Sequence, residues 1–313
     1  MTNLNPTLQD AAKDYLTLRR SFGYRLRGHD RPLADFVHHL DQAGLDRVTV
    51  ESAMAWAVEP AVSSLRHAQR LSIARGFATY LHALDPRCEV PPKGLLPEGR
   101  RRVPPHIYTA DEIAELMAQS RRLQPPLRSA TLETVIGLLV VTGMRSGEAV
   151  RLNRSDVDLV AGRVSIIATK FNKSRELALH PTTVQALEGY GRLRDRRWPR
   201  PATMGFFVSS TGRRLSQGTL EQTFAQLVRR AGLEPPSGSR ARRPRLHDAR
   251  HSFAVATLIR WYRTGQDVQA LLPALSAQLG HVDPASTYWY LTAVPELLAL
   301  ASERVQVARE VSR

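Results

Sequence analysis

The sequence predicts a mainly α-helical protein built in two parts, a helical N-terminal domain and an α+β domain with one small three-stranded antiparallel sheet. Three observations predict it. Apolar residues recur at helical spacing through the first hundred positions and again after residue 181. The period shortens to that of strands only between residues 157 and 179. A stretch rich in Pro, Gly and Arg separates the two parts.

Taken in order, Leu8, Ala12, Tyr15 and Leu16 open the first helical pattern, and Leu33, Phe36, Val37 and Leu40 form the second. A third run, Leu65, Ala68, Leu71, Phe77, Leu81 and Leu84, stops at Asp85-Pro86. These patterns define a helical domain over 1–95, and residues 96–106 form a linker that carries Arg100, Arg101 and Arg102. The second domain, 107–313, starts at a capping box, Thr109 with Glu112, ahead of Ile113, Leu116 and Met117. Leu132, Val135, Ile136 and Leu139 mark a buried helix ending near Thr142-Gly143, and residues 146–152 read as a short helix. Strands are expected over 157–160, 163–168 and 175–179, joined by turns at Ala161-Gly162 and at residues 171–174. Helices return with Leu220, Phe224, Leu227 and Val228, then over 247–263, 271–279 and 284–291, with a tail helix from Pro295.

Composition narrows the function. Lys and Arg number 44 against 29 Asp and Glu, a net charge of +15, which favours a polyanionic partner such as nucleic acid. Only 6% of residues are aromatic, which argues against large aromatic binding surfaces. The one cysteine, Cys88, can form neither an internal disulfide nor a cysteine-rich zinc cluster. The N-terminus lacks a signal-peptide core, and the longest apolar run, 135–141, is far short of the roughly 20 residues that span a bilayer. The chain is read as a soluble, cytoplasmic protein with no membrane partner.

Four clusters in the second domain carry chemistry. In Thr142-Gly143-Met144-Arg145-Ser146-Gly147-Glu148, a glycine turn places Arg145 at a helix start, where its fork of donors can face a phosphate. Glu148 lies one turn on and can hold Arg145 or another cation; alone, the pair is an ordinary surface ion pair. Lys170 enters a hairpin turn, where an ammonium can bind phosphate or act as a general acid, although a lone hairpin lysine is usually just solvated. His247 and Arg250 are three apart and share a helix face, joining a proton carrier to a phosphate fork. His247 and His251 could share a metal, but no HExxH glutamate and no third ligand accompany them. His281 stands nine residues before Tyr290, in a place where aromatic pairs are more often core. Together Arg145, Lys170, His247, Arg250 and His281 could surround a phosphodiester, whose non-bridging oxygens gather charge in the transition state. A tyrosine hydroxyl, at Tyr288 or Tyr290, could be the in-line nucleophile if activated from its ordinary pKa of about 10.

The ordered segments TGMRSGEAVRL, TKFNKSREL, HDARHSF and LGHVDPASTYWY resemble those of the tyrosine recombinase family, which includes phage integrases and Xer recombinases, across roughly residues 107–295. The helical first domain resembles the family's core-binding domain by position and character. The resemblance implies Arg145 and Arg250 as the catalytic arginines, Glu148 as their acidic helper, and Lys170 as general acid. It further implies the HxxR histidine at His247, the second histidine at His281 and the nucleophile at Tyr290. Tyr288 is the competing nucleophile, two residues short of the family step. Two departures stand out: Ala249 replaces the leucine usual before the second arginine, and the stretch from Arg250 to His281, including Leu272-Pro273-Ala274, looks long enough to hold an extra loop.

The implied reaction is two transesterifications through a 3′-phosphotyrosyl link, needing neither ATP, metal nor other cofactor. The implied assembly is a homotetramer on two double-stranded DNA sites, with sister recombinases as further partners. Arg100, Arg101, Arg102, Arg240, Arg242, Arg243 and Arg245 would track DNA phosphates. The segment 15–24 resembles recombinases of mobile elements, so integration, transposition and resolution are all open. The competing readings are a type IB topoisomerase-like enzyme and a DNA-binding protein without catalysis.

Overall fold

A computed structural model describes residues 7–24, 26, 28–97, 104–167, 174–200, 202–236, 238–239, 241–280 and 296–299. They fall into two compact units, 7–97 and 104 onward.

The first unit is helical, as the apolar spacing predicts. Helices α1 (Leu8–Ser21), α2 (Asp30–Gln42), α3 (Val50–Val58) and α4 (Ser64–Leu84) enclose a core of Leu33, Phe36, Leu40, Trp56, Leu71 and Phe77. Short α3 was not separately legible from apolar spacing. It is fixed by a capping box: Thr49 Oγ1 accepts from the Ser52 amide, and the Ser52 hydroxyl accepts from the Thr49 amide, both at 3.0 Å. Arg70 lies 3.8 Å over the Trp56 ring, and Trp56 Nε1 donates to Asp35 at 3.0 Å, so the one polar atom of that buried indole is satisfied. The proline-rich stretch after α4 is anchored, because Arg75 Nε donates to the Pro91 carbonyl at 2.7 Å.

The second unit is built around α6 (Pro126–Thr142), which packs against α5 (Ala110–Arg121), α8 (Pro181–Arg197) and α10 (Asp248–Arg263). Residues Leu132, Val135, Ile136, Leu138 and Leu139 are buried, so α6 is apolar on more than one face. The predicted Thr109–Glu112 capping box is formed, with bonds of 2.9 and 3.1 Å. After α7 (Ser146–Ala149) and a 3₁₀ turn come β1 (Val157–Asp158), β2 (Arg163–Ile166) and β3 (Arg175–Ala178). They form an antiparallel sheet in the order β1-β2-β3, pairing Val157 with Val164 and Val164 with Leu177. Helices α9 (Gln217–Arg230) and α11 (Val268–Leu279) also belong to the unit, as does the short helical stretch 296–299, whose Leu297 is buried. Leu258, Leu272, Leu275 and Leu279 knit α10 and α11 into a local core.

Several boundaries shift by one to three residues, and three differences from expectation have a visible cause. Helix α7 ends at Ala149 rather than continuing to Leu152. The following carbonyls turn outward to Arg214, whose Nη1 donates to those of Val150, Arg151 and Leu152 at 2.9–3.2 Å. Strand β1 ends at Asp158, not 160, because the Asp158 carboxylate accepts the Ala161 amide at 2.8 Å and starts the turn early. The expected extra loop before residue 281 is absent. Residues 264–267 turn directly into α11, whose N-cap Asp267 accepts from the amides of Gln269 and Ala270, and Pro273 lies inside that helix. The helix forms despite the proline because its apolar face is buried against α10.

Candidate active site

The site grows from the end of α6. Gly143 adopts φ +65°, and its amide donates to the Leu139 carbonyl at 3.0 Å, stopping the helix. A Cβ there would strike the Phe253 ring and lie 2.9 Å from Leu279, so both the backbone and the packing call for glycine. The chain turns and presents Arg145 at the N-cap of α7, as its sequence position predicts. Serine or aspartate would ordinarily accept the first helical amides there. Here the converse bond does the fixing: the Arg145 amide donates to Glu148 Oε2 at 2.9 Å.

Glu148 is buried, and its carboxylate receives four N–H groups. Oε1 accepts from Arg145 Nη1 at 2.9 Å and Arg175 Nη1 at 3.2 Å. Oε2 accepts from the Arg145 amide at 2.9 Å and Arg175 Nη2 at 2.7 Å. Burial pushes the Glu148 pKa up; the bonds from Arg175 and the Arg145 amide, with the two guanidinium charges, outweigh it and hold the carboxyl below its ordinary range. Arg145 remains 38% exposed, whereas Arg175 is 12% exposed, so of the two it is Arg145 that can meet a ligand.

The second arginine arrives from α10. Arg250 is buried, and its Nη1 donates to the Gly143 carbonyl at 2.9 Å, on the turn that carries Arg145. Residues 107 apart in sequence thus meet at one turn. His247 is the N-cap residue of α10. Residue 247 stays exposed at the surface, yet packing around its ring, then the charges of Arg250, Arg245 and Arg145, lower its pKa to about 4 against a weaker upward pull from Glu148. It is therefore a neutral imidazole at neutral pH, able to accept a proton. The turn before it is fixed by Asp248 Oδ2, which accepts the Arg245 amide at 2.8 Å. The His247 and His251 rings lie 5.0 Å apart, edge to face. Among the described residues no three His, Cys, Asp or Glu side chains converge as metal ligands.

The structure therefore brings Arg145, Glu148, His247 and Arg250 together. Of the expected phosphate-tracking residues, Arg242 is exposed, Arg243 is engaged by Glu234, and Arg245 Nη2 lies 3.9 Å from Asp248. Lys170, His281, Tyr288, Tyr290, Arg100, Arg101, Arg102 and Arg240 lie outside the described residues. Ala249 is buried in the main core of the unit, consistent with a packing change at that position. Sequence reasoning missed Arg175. Its signal was present in the TKFNKSREL segment, but an arginine opening a strand reads as a solvated charge. The roomier grooves lie elsewhere: one of about 380 Å³ between α6 and α8 is lined largely by apolar residues and small threonines and carries no such cluster.

The model of the phage integrase family matches residues 107–296, which include every element of this cluster. The chain belongs to the phage integrase family. An integrase/recombinase of Sinorhizobium fredii, y4rB, is 40% identical to it over 96% of this chain and 97% of that protein. The tyrosine recombinase XerC of Azotobacter vinelandii is 31% identical over 90% of this chain and 89% of that protein. Among solved structures, the Tn1549 transposon integrase in complex with transposon right end DNA shares the fold, with a TM-score of 0.64 at 15% identity, over 96% and 98% of the two chains. This integrase-family chain is thus a tyrosine recombinase, with the family's mainly helical architecture and single small antiparallel sheet. No helix of the described residues is long and apolar enough to cross a membrane.

Proposed function

We propose that this integrase-family protein is a site-specific DNA recombinase whose nucleophile is Tyr290. The observation that carries the reading is the meeting of Arg145 and Arg250 at the Gly143 turn beside a neutral His247. Two guanidinium groups suit the non-bridging oxygens of one phosphodiester, and the preorganised charge favours its crowded transition state. Tyr290 Oη attacks the phosphorus and forms a 3′-phosphotyrosyl bond as the bond to the 5′ oxygen breaks. His247 accepts the phenolic proton, Lys170 protonates the departing 5′ oxygen, and His281 supports the phosphate. A 5′-hydroxyl from a partner strand then attacks the same phosphorus and releases Tyr290. The bond energy is kept in the phosphotyrosine, so the cycle consumes no ATP.

The relatives' names support double-stranded DNA as the partner: XerH is solved bound to its difH substrate, and λ integrase as a dimer on a core site. A chain of net charge +15 suits that partner. The reading extends to a helical core-binding domain over 1–95, phosphate contacts from the arginines at 100–102 and 240–245, a homotetramer on two sites, and work in the cytoplasm.

The test uses nicked duplexes drawn from the DNA that flanks the chain's own gene, with the nick beside the cleaved phosphate so that the leaving fragment diffuses away. A covalent protein–DNA adduct in the parent, lost in Tyr290→Phe and kept in Tyr288→Phe, supports the assignment. An adduct kept in Tyr290→Phe and lost in Tyr288→Phe moves the nucleophile. No adduct from the parent on a duplex that it binds tightly means a DNA-binding protein without catalysis.

A further inference from the structure

We propose that Arg175 is a positioning residue for strand cleavage: it clamps the last turn of α11 to Glu148 and so sets the aim of Arg145. The proposal rests on the recombinase reading above and deepens it. Arg175 opens β3, yet its side chain is only 12% exposed and joins two distant segments. Nη1 and Nη2 fork onto both oxygens of Glu148, at 3.2 and 2.7 Å, while Nε donates to the Gln278 carbonyl at 2.8 Å. Arg145 makes the parallel connection, with Nη1 on Glu148 at 2.9 Å and Nη2 on the Gly280 carbonyl at 3.0 Å. One carboxylate and two arginines therefore hold two carbonyls, those of Gln278 and Gly280, at the C-terminus of α11. Those carbonyls are the negative end of the helix, which suits cations.

The two arginines differ in what they can reach. Arg145 uses two of its five N–H groups in this cluster and keeps an exposed face, so it can bind a phosphate while it is held. Arg175 uses three and is nearly enclosed, so it holds without touching DNA. The contact is close enough to constrain the chain. Gly280 adopts φ +64°, and a Cβ there would lie 2.6 Å from Arg175 Nη1. Gly280 thus accepts Arg145 through its carbonyl and, by lacking a side chain, admits Arg175. In sequence it directly precedes His281, so the clamp sits at the root of the segment that leads to Tyr290.

Lysine cannot replace this fork, since a single ammonium can bridge to Glu148 but not also reach Gln278 in the same geometry. Three quantities separate positioning from mere folding, measured on full-length parent and Arg175→Lys, with Arg175→Met as a second variant. They are DNA affinity, single-turnover adduct formation on the nicked duplex, and amide exchange in the last turn of α11. Arg175→Lys is expected to bind DNA within threefold of the parent, form adduct at least tenfold more slowly, and exchange faster at residues 276–280. Gly280→Ala is expected to reproduce the slow cleavage by displacing the same guanidinium. Cleavage by Arg175→Lys at the parent rate overturns the proposal, as does a loss confined to DNA affinity. If the parent itself forms no adduct, the recombinase reading fails separately. The clamp is then judged by exchange alone, with unchanged exchange overturning it and accelerated exchange upholding it.

Discussion

Glu148→Gln keeps the shape of the side chain and removes its charge, which isolates the electrostatic role of the carboxylate. In the parent, Glu148 is 2% exposed and faces two guanidinium groups, one of them, Arg175, only 12% exposed. Neutralising it leaves a nearly buried cation without its counter-charge and turns an amide N–H toward a donor. Breaking a buried pair in this way costs about 3–5 kcal/mol. The Arg145 arm adds little, because exposed pairs contribute about 0–1 kcal/mol. For a unit of this size each kcal/mol shifts Tm by about 2–4 °C, so a fall on the order of 6–20 °C is expected in calorimetry. The sign with pH follows from the lowered carboxyl pKa. The carboxylate's contribution is present above the unfolded value and is lost as pH falls through the folded one. Parent and variant should therefore differ fully at pH 7 and converge only in acid. The double variant Glu148→Gln/Arg175→Met should lose less than the sum of the singles, since it removes both members of the pair. A cost below about 1 kcal/mol at pH 7, or strict additivity, would refute the coupled-charge account.

Three further outcomes are expected. Gly143→Ala combines left-handed strain of about 1–2 kcal/mol with a clash worth about 1–3 kcal/mol; urea unfolding should show a loss of about 2–5 kcal/mol, and a loss under 0.5 would contradict the turn geometry. Phe36→Ala empties the centre of the first unit's core and should cost about 3–5 kcal/mol by the same measurement. The pKa of His247, lowered to about 4 chiefly by packing around its ring and then by cations that a bound phosphate would offset, should rise when DNA binds, leaving the ring neutral at pH 7 but a stronger base. DNA affinity in the parent should rise as pH falls from 8 toward 5, by more than in His247→Gln; equal pH slopes in parent and variant would contradict it. Stability has the opposite sense, because the unfolded histidine protonates first: it is lost as pH falls between about 6.5 and 4.

What could be read from the sequence was local, and what could not was distant. The Gly143 stop, Arg145 at a helix start and Glu148 one turn later are fixed by neighbours three or four residues away, and spacing alone revealed them. So were the Thr109–Glu112 capping box and the helical face shared by His247 and Arg250. The length of α7 was not legible, because Arg214 ends it from more than 60 residues away. Pro273 lies inside a helix that apolar spacing already predicts over 271–279, and burial of Leu272, Leu275 and Leu279 holds it there. Arg175 is the sharpest case: one partner, Glu148, is 27 residues before it and the other, Gln278, 103 after. Nothing in its own neighbourhood separates it from a solvated strand arginine. The motif thus names the groups that face a phosphate, while the groups that hold them are chosen by where the fold needs a counter-charge. A buried carboxylate beside an exposed arginine is the sequence-visible half of such a device. Its saturation by four donors requires a second cation from elsewhere, and a carboxylate at the start of a glycine-turned helix is a reason to search the following hairpin for one.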